Sequence, residues 1–541
     1  MADINRPPTD LRASSLMILK RKLGHFLTGS WSLILLAFGT TAVACQADLT
    51  NPPRLATATA RAQLTAPTPN ETRYLPAPTA TPNPVPASTQ TPPPVGQLPG
   101  LTVWVNETSP EHEAVLQTMT ADLAQAGINV EFVMVSPMLL PKLVNTAVLS
   151  DTLPDIILHP LEFTIGWAER GILNPNAATA ALEAIGRNTF NPDALELVTV
   201  NGQVAALPID GFHRLLLYRT DWFNERGLLP PDNYEAMLTA AETIYNREQL
   251  VTGFVIPTES NLVTTQQSFE HIATANGCQL VDTKGEILIL EPACREALDF
   301  YFTIIHNYSP PGVQTDISAR NAFLDGRTGM IMASPRILPQ LAGLDEKRLP
   351  ACPECIETAD FLVNNTGILT HIRGNSTLAS PTAFSEITYL GITSKADPET
   401  AVTFARYWFN EGYEAWLAVE PERKVPMRWG TAESPRRFID NWGTQPIAQS
   451  NQSLTDIYGP QLVQQLREDI VTPTRWGYAQ KHGELITVLY EELTFSIVLQ
   501  EMLSGYFTPD QTLIETYLRV TDLIPNYQYY IELEPTPTPQ P

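Results

Sequence analysis

The chain has 541 residues, with 34 Lys and Arg against 58 Asp and Glu, and 47 prolines. That length exceeds one ordinary hydrophobic core and sets an expectation of two or three domains. A net charge of −24 offers no basic footprint for DNA or RNA, so nucleic-acid binding is excluded.

In chain order, Arg6, Arg12, Lys20, Arg21 and Lys22 precede an uncharged stretch over residues 26–47. Basic residues, an apolar run and small residues at its end form the pattern of an export signal. The run closes on Ala42-Val43-Ala44-Cys45-Gln46, which resembles a bacterial lipoprotein signal. The resemblance implies removal of residues 1–44 and a lipid on Cys45, holding the body at the outer face of a membrane. Leu is usual three places before such a cysteine, and Ala42 stands there. An uncleaved signal-anchor helix is the alternative, since the run is long enough to span a bilayer. Without the five basic and two acidic residues before Cys45, the remainder holds 29 Lys and Arg against 56 acids, a net charge of −27. Residues 45–99 recur in Pro and Thr and read as a disordered, locally extended linker. Residues 529–541 read as a disordered tail.

The body begins with a predicted strand over residues 101–105 and a helix over 110–126, with Val115, Met119 and Leu123 at helical spacing and Gly127 as a stop. A second strand is expected over 128–135, a helix over 137–149 and a third strand over 155–158. Alternation at this spacing predicts an α/β fold with a parallel sheet covered by helices. Ligands of open α/β sheets settle beyond the carboxyl ends of the strands, which draws attention to Asn106, Glu107, Ser136 and His159. Setting Cys45 aside, four cysteines remain, and an even count in an oxidising compartment favours two disulfides. The local pairs Cys278–Cys294 and Cys352–Cys355 are the favoured connectivity. Cys352-Pro-Glu-Cys355 has metal-ligand spacing, but no second pair or suitably spaced histidines complete a zinc site.

A series of segments then becomes specific: Leu101-Thr-Val-Trp, Gly127-Ile-Asn-Val, Leu153-Pro-Asp-Ile-Ile and Ala168-Glu-Arg-Gly-Ile-Leu-Asn-Pro. Asn201-Gly-Gln-Val-Ala-Ala-Leu-Pro, Leu217-Tyr-Arg-Thr-Asp-Trp-Phe and Ala322-Phe-Leu-Asp-Gly-Arg-Thr-Gly-Met-Ile-Met follow. Leu390-Gly-Ile-Thr-Ser-Lys and Leu503-Ser-Gly-Tyr-Phe-Thr-Pro-Asp close it. In this order, over residues 101–523, the series resembles the extracellular solute-binding proteins of family 1, the sugar-binding lipoproteins that feed ABC importers. The resemblance implies a two-lobed, type II periplasmic-binding-protein-like fold, two doubly wound sheets joined by a hinge. Residues 100–208 and about 385–426 would form the first lobe, and 209–384 with about 427–528 the second. Its partners would be a small solute, most simply a carbohydrate, and the importer's membrane subunits. The protein would be a monomer, periplasmic or at the cell surface, without cofactor or metal.

Positions matching the family's ligand segments are Asn106, Glu107, His159, Asp210, Ser334 and Arg336. Arg336 departs from the family, where a large aromatic often stands, and a guanidinium there would suit an anionic ligand. Trp429, after Pro426-Met427-Arg428 in a loop-like segment, is a candidate aromatic platform for a sugar, whereas Trp408 and Trp416 read as core. Residues 340–379 read as an insertion carrying the Cys352–Cys355 loop. Motifs for zinc proteases, serine hydrolases and phosphate loops are absent from the sequence, so a non-enzyme is expected. A surface polysaccharide-active enzyme, or a ligand-less sensor on the same fold, are the alternatives.

Overall fold

The computed structural model describes residues 100–448, 450–468, 470–471 and 475–525. The leader at 1–44, Cys45, the linker at 45–99 and the tail at 529–541 lie outside the described residues. Among the described residues, no helix is long and apolar enough to cross a membrane.

Strand β1 (Gly100–Val105) alternates, burying Leu101, Val103 and Val105. Helix α1 (Pro110–Gln125) starts where Ser109 caps it and Pro110 presets its first turn, and it buries Leu116, Met119 and Leu123. Strand β2 (Asn129–Met134) runs parallel to β1 in full register. Helix α2 (Leu140–Ser150) begins three residues later than its sequence suggests, because a turn occupies residues 137–139. Strand β3 (Ile156–Pro160) is parallel to β1 on the other side. It leads straight into α3 (Leu161–Glu169), whose residues from Leu161 to Trp167 are all buried. Asn-capped helices α4 (Pro175–Ile185) and α5 (Pro192–Glu196) follow. Strand β4 (Leu207–His213) then joins the same sheet.

Only Arg214 separates β4 from β5 (Leu215–Arg219), the first strand of a second sheet. That sheet gains β6 (Thr252–Val255), β7 (Thr328–Ala333) and β8 (Thr366–Leu369), in the order β8-β5-β7-β6. Gly253 is required in β6, since a Cβ there would sit 2.2 Å from the carbonyl oxygen of Ala241. Helices α6 (Val263–Ala275) and α7 (Pro292–Tyr308) follow β6, and α8 (Ile337–Leu341) follows β7. The chain returns to the first sheet through β9 (Ser385–Ile392), antiparallel between β3 and β4, and β10 (Val425–Pro426) at the edge. The six strands lie in the order β10-β4-β9-β3-β1-β2. Part of the segment read as an insertion supplies β8, the edge strand paired with β5.

Helix α9 (Pro398–Asn410) buries Phe404 and Trp408 in a core on one face of the six-stranded sheet, with Val103, Leu123 and Trp416. The C-terminal region adds α10 (Leu454–Arg467), α11 (Gly483–Glu491) and α12 (Thr494–Leu503). Helices α3 and α11 meet closely because each contributes a glycine. A Cβ on Gly166 would lie 2.5 Å from Thr487, and one on Gly483 2.7 Å from Ile165. The resulting core joins Leu161 and Trp167 of α3 to Leu485 and Leu489 of α11 and to Phe269 and Ile272 of α6. One continuous apolar body thus reaches from a helix of the first sheet to the helices of the second.

Cys278 is bonded to Cys294 and Cys352 to Cys355. The first bridge pins the end of α6 to the first turn of α7 across 16 residues. By loop closure it contributes about 3 kcal/mol, and the three-residue Cys352–Cys355 link about 2 kcal/mol. Replacing both cysteines of a pair by Ser is therefore expected to lower the urea midpoint more for Cys278/Cys294. Equal shifts, or a larger one for Cys352/Cys355, would contradict the assignment of the first bridge as the main staple.

Candidate functional site

Beyond β1, where a parallel sheet offers its ligand end, Glu107 does not stand free. Its carboxylate accepts from Arg423 Nη2 at 2.8 Å, and the same nitrogen donates to Glu420 at 2.6 Å. Glu420 Oε2 also accepts from Arg336 Nη2 at 2.9 Å. The chain Glu107–Arg423–Glu420–Arg336 therefore runs from the end of β1, through the segment entering β10, to the first turn after β7. It ties an element of each sheet together. Burial alone would raise both carboxyls, but Arg423 outweighs it at Glu107, and Arg423 with Arg336 holds Glu420 at about 2. Burial opposes a charge on Arg423, yet Glu107 and Glu420 hold it above its ordinary range.

Asp210, on β4, lies beside this chain but is only 4% exposed. Its Oδ2 accepts from Trp416 Nε1 at 2.7 Å. Lys424 sits over the Trp416 ring at 3.8 Å and donates to the Trp416 carbonyl at 2.9 Å, with His112 Nε2 at 2.8 Å. Burial pushes Asp210 up to about 6 and Lys424 down to about 8, while burial and the Lys424 charge push His112 down to about 4. Glu107, His112 and Glu420 place ligand atoms within 4.8 Å of one another. The group does not fit a metal, because Arg423 bonds both carboxylates and Lys424 meets the imidazole.

Of the other expected positions, Asn106 and Ser334 flank members of that cluster in sequence, and His159 is sealed in the core. Asn106 is half-buried at the end of β1, and the Ser334 carbonyl accepts from Ile337 N at the start of α8. His159 corrects the expectation of a ligand contact: it is 0% exposed, sealed between Trp167 at 5.2 Å and Tyr389 at 6.4 Å. Its Nδ1 lies 3.0 Å from the Pro160 carbonyl, and burial pushes it down to about 4, so it packs as a neutral ring. The reason is local. Pro160 turns the chain directly into α3, whose buried first turn closes over the strand end.

A second ionic group also spans the two sheets, and the sequence reading passed over it. Glu162 opens α3, Glu270 and Gln267 lie on α6, and Arg475 and Tyr490 come from the C-terminal region. Arg475 Nε donates to Glu270 Oε1 at 2.8 Å, and Tyr490 donates to Glu270 Oε2 at 2.6 Å. Glu162 Oε2 stands 3.9 Å from Arg475, with Oε1 accepting from Gln267 at 3.2 Å. Arg214, between the sheets, donates to Gln267 at 2.9 Å and to Glu386 of β9 at 3.0 Å. Glu162, Glu270 and Arg475 are each at most 3% exposed. Burial drives Glu162 up to about 7 despite Arg475, which is committed to Glu270.

Trp429 stands away from both groups. It is half-buried and shared by two recesses, one of about 750 Å3 lined by Arg187, Asn188 and Phe190, the other of about 440 Å3 lined by Asp193, Arg436 and Arg467.

Arg423→Met strips Glu107 of its guanidinium partner and leaves Glu420 with Arg336 alone, which should cost about 3 kcal/mol. Arg336→Ala, with its side chain 39% exposed, should cost under about 1 kcal/mol. Chemical denaturation of the two variants checks the ranking, and equal losses would contradict it. Glu162 has its pKa raised on folding, so its contribution is complete below about 4.5 and is lost as pH rises through about 7. Glu162→Gln should therefore gain stability relative to the native chain between pH 5 and pH 8, on the order of 3 kcal/mol. A difference that stays constant across that window would sink this assignment.

No protein-family model matches the sequence. YcjN of Escherichia coli, which carries the name of an ABC transporter periplasmic-binding protein, is 25% identical over 233 residues, 42% of this chain and 54% of that protein. The chain thus spans about half the length of this relative. Among solved structures, an ABC transporter solute-binding protein of Thermotoga lettingae bound to α-D-tagatose superposes with a TM-score of 0.57 at 20% identity, over 78% of this chain and 99% of that one. Maltose-bound MalE3 of T. maritima gives 0.59 at 17% identity, over 79% and 100%. The chain is related in sequence to ABC transporter periplasmic-binding proteins and has the two-lobed α/β fold of their type II class.

Proposed function

We propose that the chain is an extracellular solute-binding protein that captures a carbohydrate between two lobes and delivers it to the membrane subunits of an ABC importer. In this reading the first lobe comprises residues 100–208 and about 385–426, and the second residues 209–384 and about 427–528. Cys45 carries the lipid, residues 45–99 lift the body off the membrane, and the ligand leaves unaltered. The protein acts as a monomer at the outer face of the cytoplasmic membrane.

The observation that carries the proposal is the fold shared with almost the whole length of proteins whose bound ligands are a tagatose and a maltose. The site chemistry supports it. The chain Glu107–Arg423–Glu420–Arg336 is paired within itself, so Arg336, which suggested an anionic ligand, is neutralised by Glu420. A neutral ligand rich in hydroxyls fits that balance better than an acid. Closure of two lobes needs only contacts that differ between open and closed states, and such contacts require no chemistry.

A thermal-shift screen of sugars, sugar acids, amino acids and polyamines tests the reading. A neutral sugar at about a hundred times its dissociation constant should stabilise the body by about 2.7 kcal/mol. Chromatography of the incubated sugar should show it unchanged. A shift with acids alone, no shift with any class, or a new product peak would count against the proposal.

A further inference from the structure

We infer that Trp429 is the platform of a binding site for a linear neutral oligosaccharide, seated across the two recesses that share its ring; the inference rests on the carbohydrate-binding reading above. Trp429 is held in place through its backbone. Its N–H donates to the Thr189 carbonyl at 2.7 Å, and its carbonyl accepts from Phe438 at 2.9 Å and Ile439 at 3.1 Å. The next residue must be glycine, since a Cβ on Gly430 would lie 2.1 Å from the Ser434 carbonyl oxygen. With the main chain so fixed, little backbone freedom is left to lose when a ligand packs on the indole.

The recesses, about 750 and 440 Å3, both fall in the size range of small-molecule sites. Each combines an apolar floor with planar polar side chains: Phe190 and Leu195 beside Arg187 and Glu196 in the first, Ile439 and Ile470 beside Asp193 and Arg467 in the second. The second recess holds two acids and two guanidiniums, counting Glu468 and Arg436, so it selects neither sign of charge. Hydroxyl groups, which donate and accept, suit such a lining. The apolar C–H face of a pyranose suits the indole. Because a single ring borders both spaces, an occupant that fills them crosses Trp429, which requires at least two linked sugar units.

The second recess is also walled from both sheets. Asn191 N donates to the carbonyl of Met427, whose own N–H donates to the carbonyl of Ile209 in β4. On the opposite wall, Gln464 and Arg467 lie on α10. That helix is tied to the second sheet by Tyr458 OH donating to the Leu338 carbonyl at 2.6 Å and Gln465 donating to Thr370 at 3.1 Å. A sugar there touches elements of both sheets, and its affinity depends on how they are placed.

Calorimetric titration of the full chain with gluco-, manno- and xylo-oligosaccharides of one to six units tests the site. The best series should gain about tenfold or more in affinity between one unit and three. Trp429→Ala should weaken the trisaccharide by about tenfold or more, and Trp429→Phe should recover part of the loss. The double variant Arg436→Ala/Gln464→Ala changes two surface side chains and so keeps the fold, and it should weaken the trisaccharide several-fold with an unchanged melting temperature. Sugar binding that is indifferent to chain length, or untouched by these variants, overturns the inference and leaves the carbohydrate-binding reading in place. No binding by any member of the panel overturns both.

Discussion

Arg475 holds a full charge where water does not reach, and the arrangement of the two sheets depends on how that charge is met. The residue is 3% exposed, and its guanidinium is answered by Glu270 on α6 at 2.8 Å. Glu162, at the start of α3, faces it from the first sheet at 3.9 Å. A buried cation left without a partner costs several kcal/mol. Its placement therefore constrains three segments at once: the helix after β3, the helix after β6, and the C-terminal region. The glycine contacts between α3 and α11 let these backbones approach closely enough for the network to form.

The second ionic chain, Glu107–Arg423–Glu420–Arg336, makes the same connection at another edge, but with partial solvent access. Together the two groups give the sheets one buried and one half-exposed bridge. Between β4 and β5 the covalent link is a single residue, Arg214, itself engaged with Gln267 and Glu386. In the proposed reading, polar contacts of this kind are what would distinguish open from closed arrangements, since each depends on the placement of both partners.

Much of the first sheet was legible in the chain. Leu101 to Val105 alternates cleanly, and Ser109-Pro110 announces α1 by cap and preset φ. Helix α6 was not legible, because it is buried on all sides and carries Thr265, Gln266, Gln267, Glu270 and His271 in its interior-facing turns. No apolar stripe exists for a periodicity argument to find. The site divided in the same way. Glu107 could be singled out from its place after a strand and Arg336 from the family resemblance, and both enter one ionic chain. Arg423, the partner of Glu107, is 316 residues away, Glu420 is 84 from Arg336, and Arg475 is 205 from Glu270. No local signal announces pairs so distant. His159 was misjudged because the rule about strand ends presumes an open loop, and here Pro160 leads directly into a buried helix.

The proposed function requires that two sheet-centred bodies close about a sugar without changing it. Spin labels at Gln117 on α1 and Glu242 in the helix Tyr234–Ile244, both exposed, would report the separation of the bodies directly. Saturating sugar should convert a broad distance distribution into one shorter and narrower population. An identical distribution with and without bound sugar would contradict the claim.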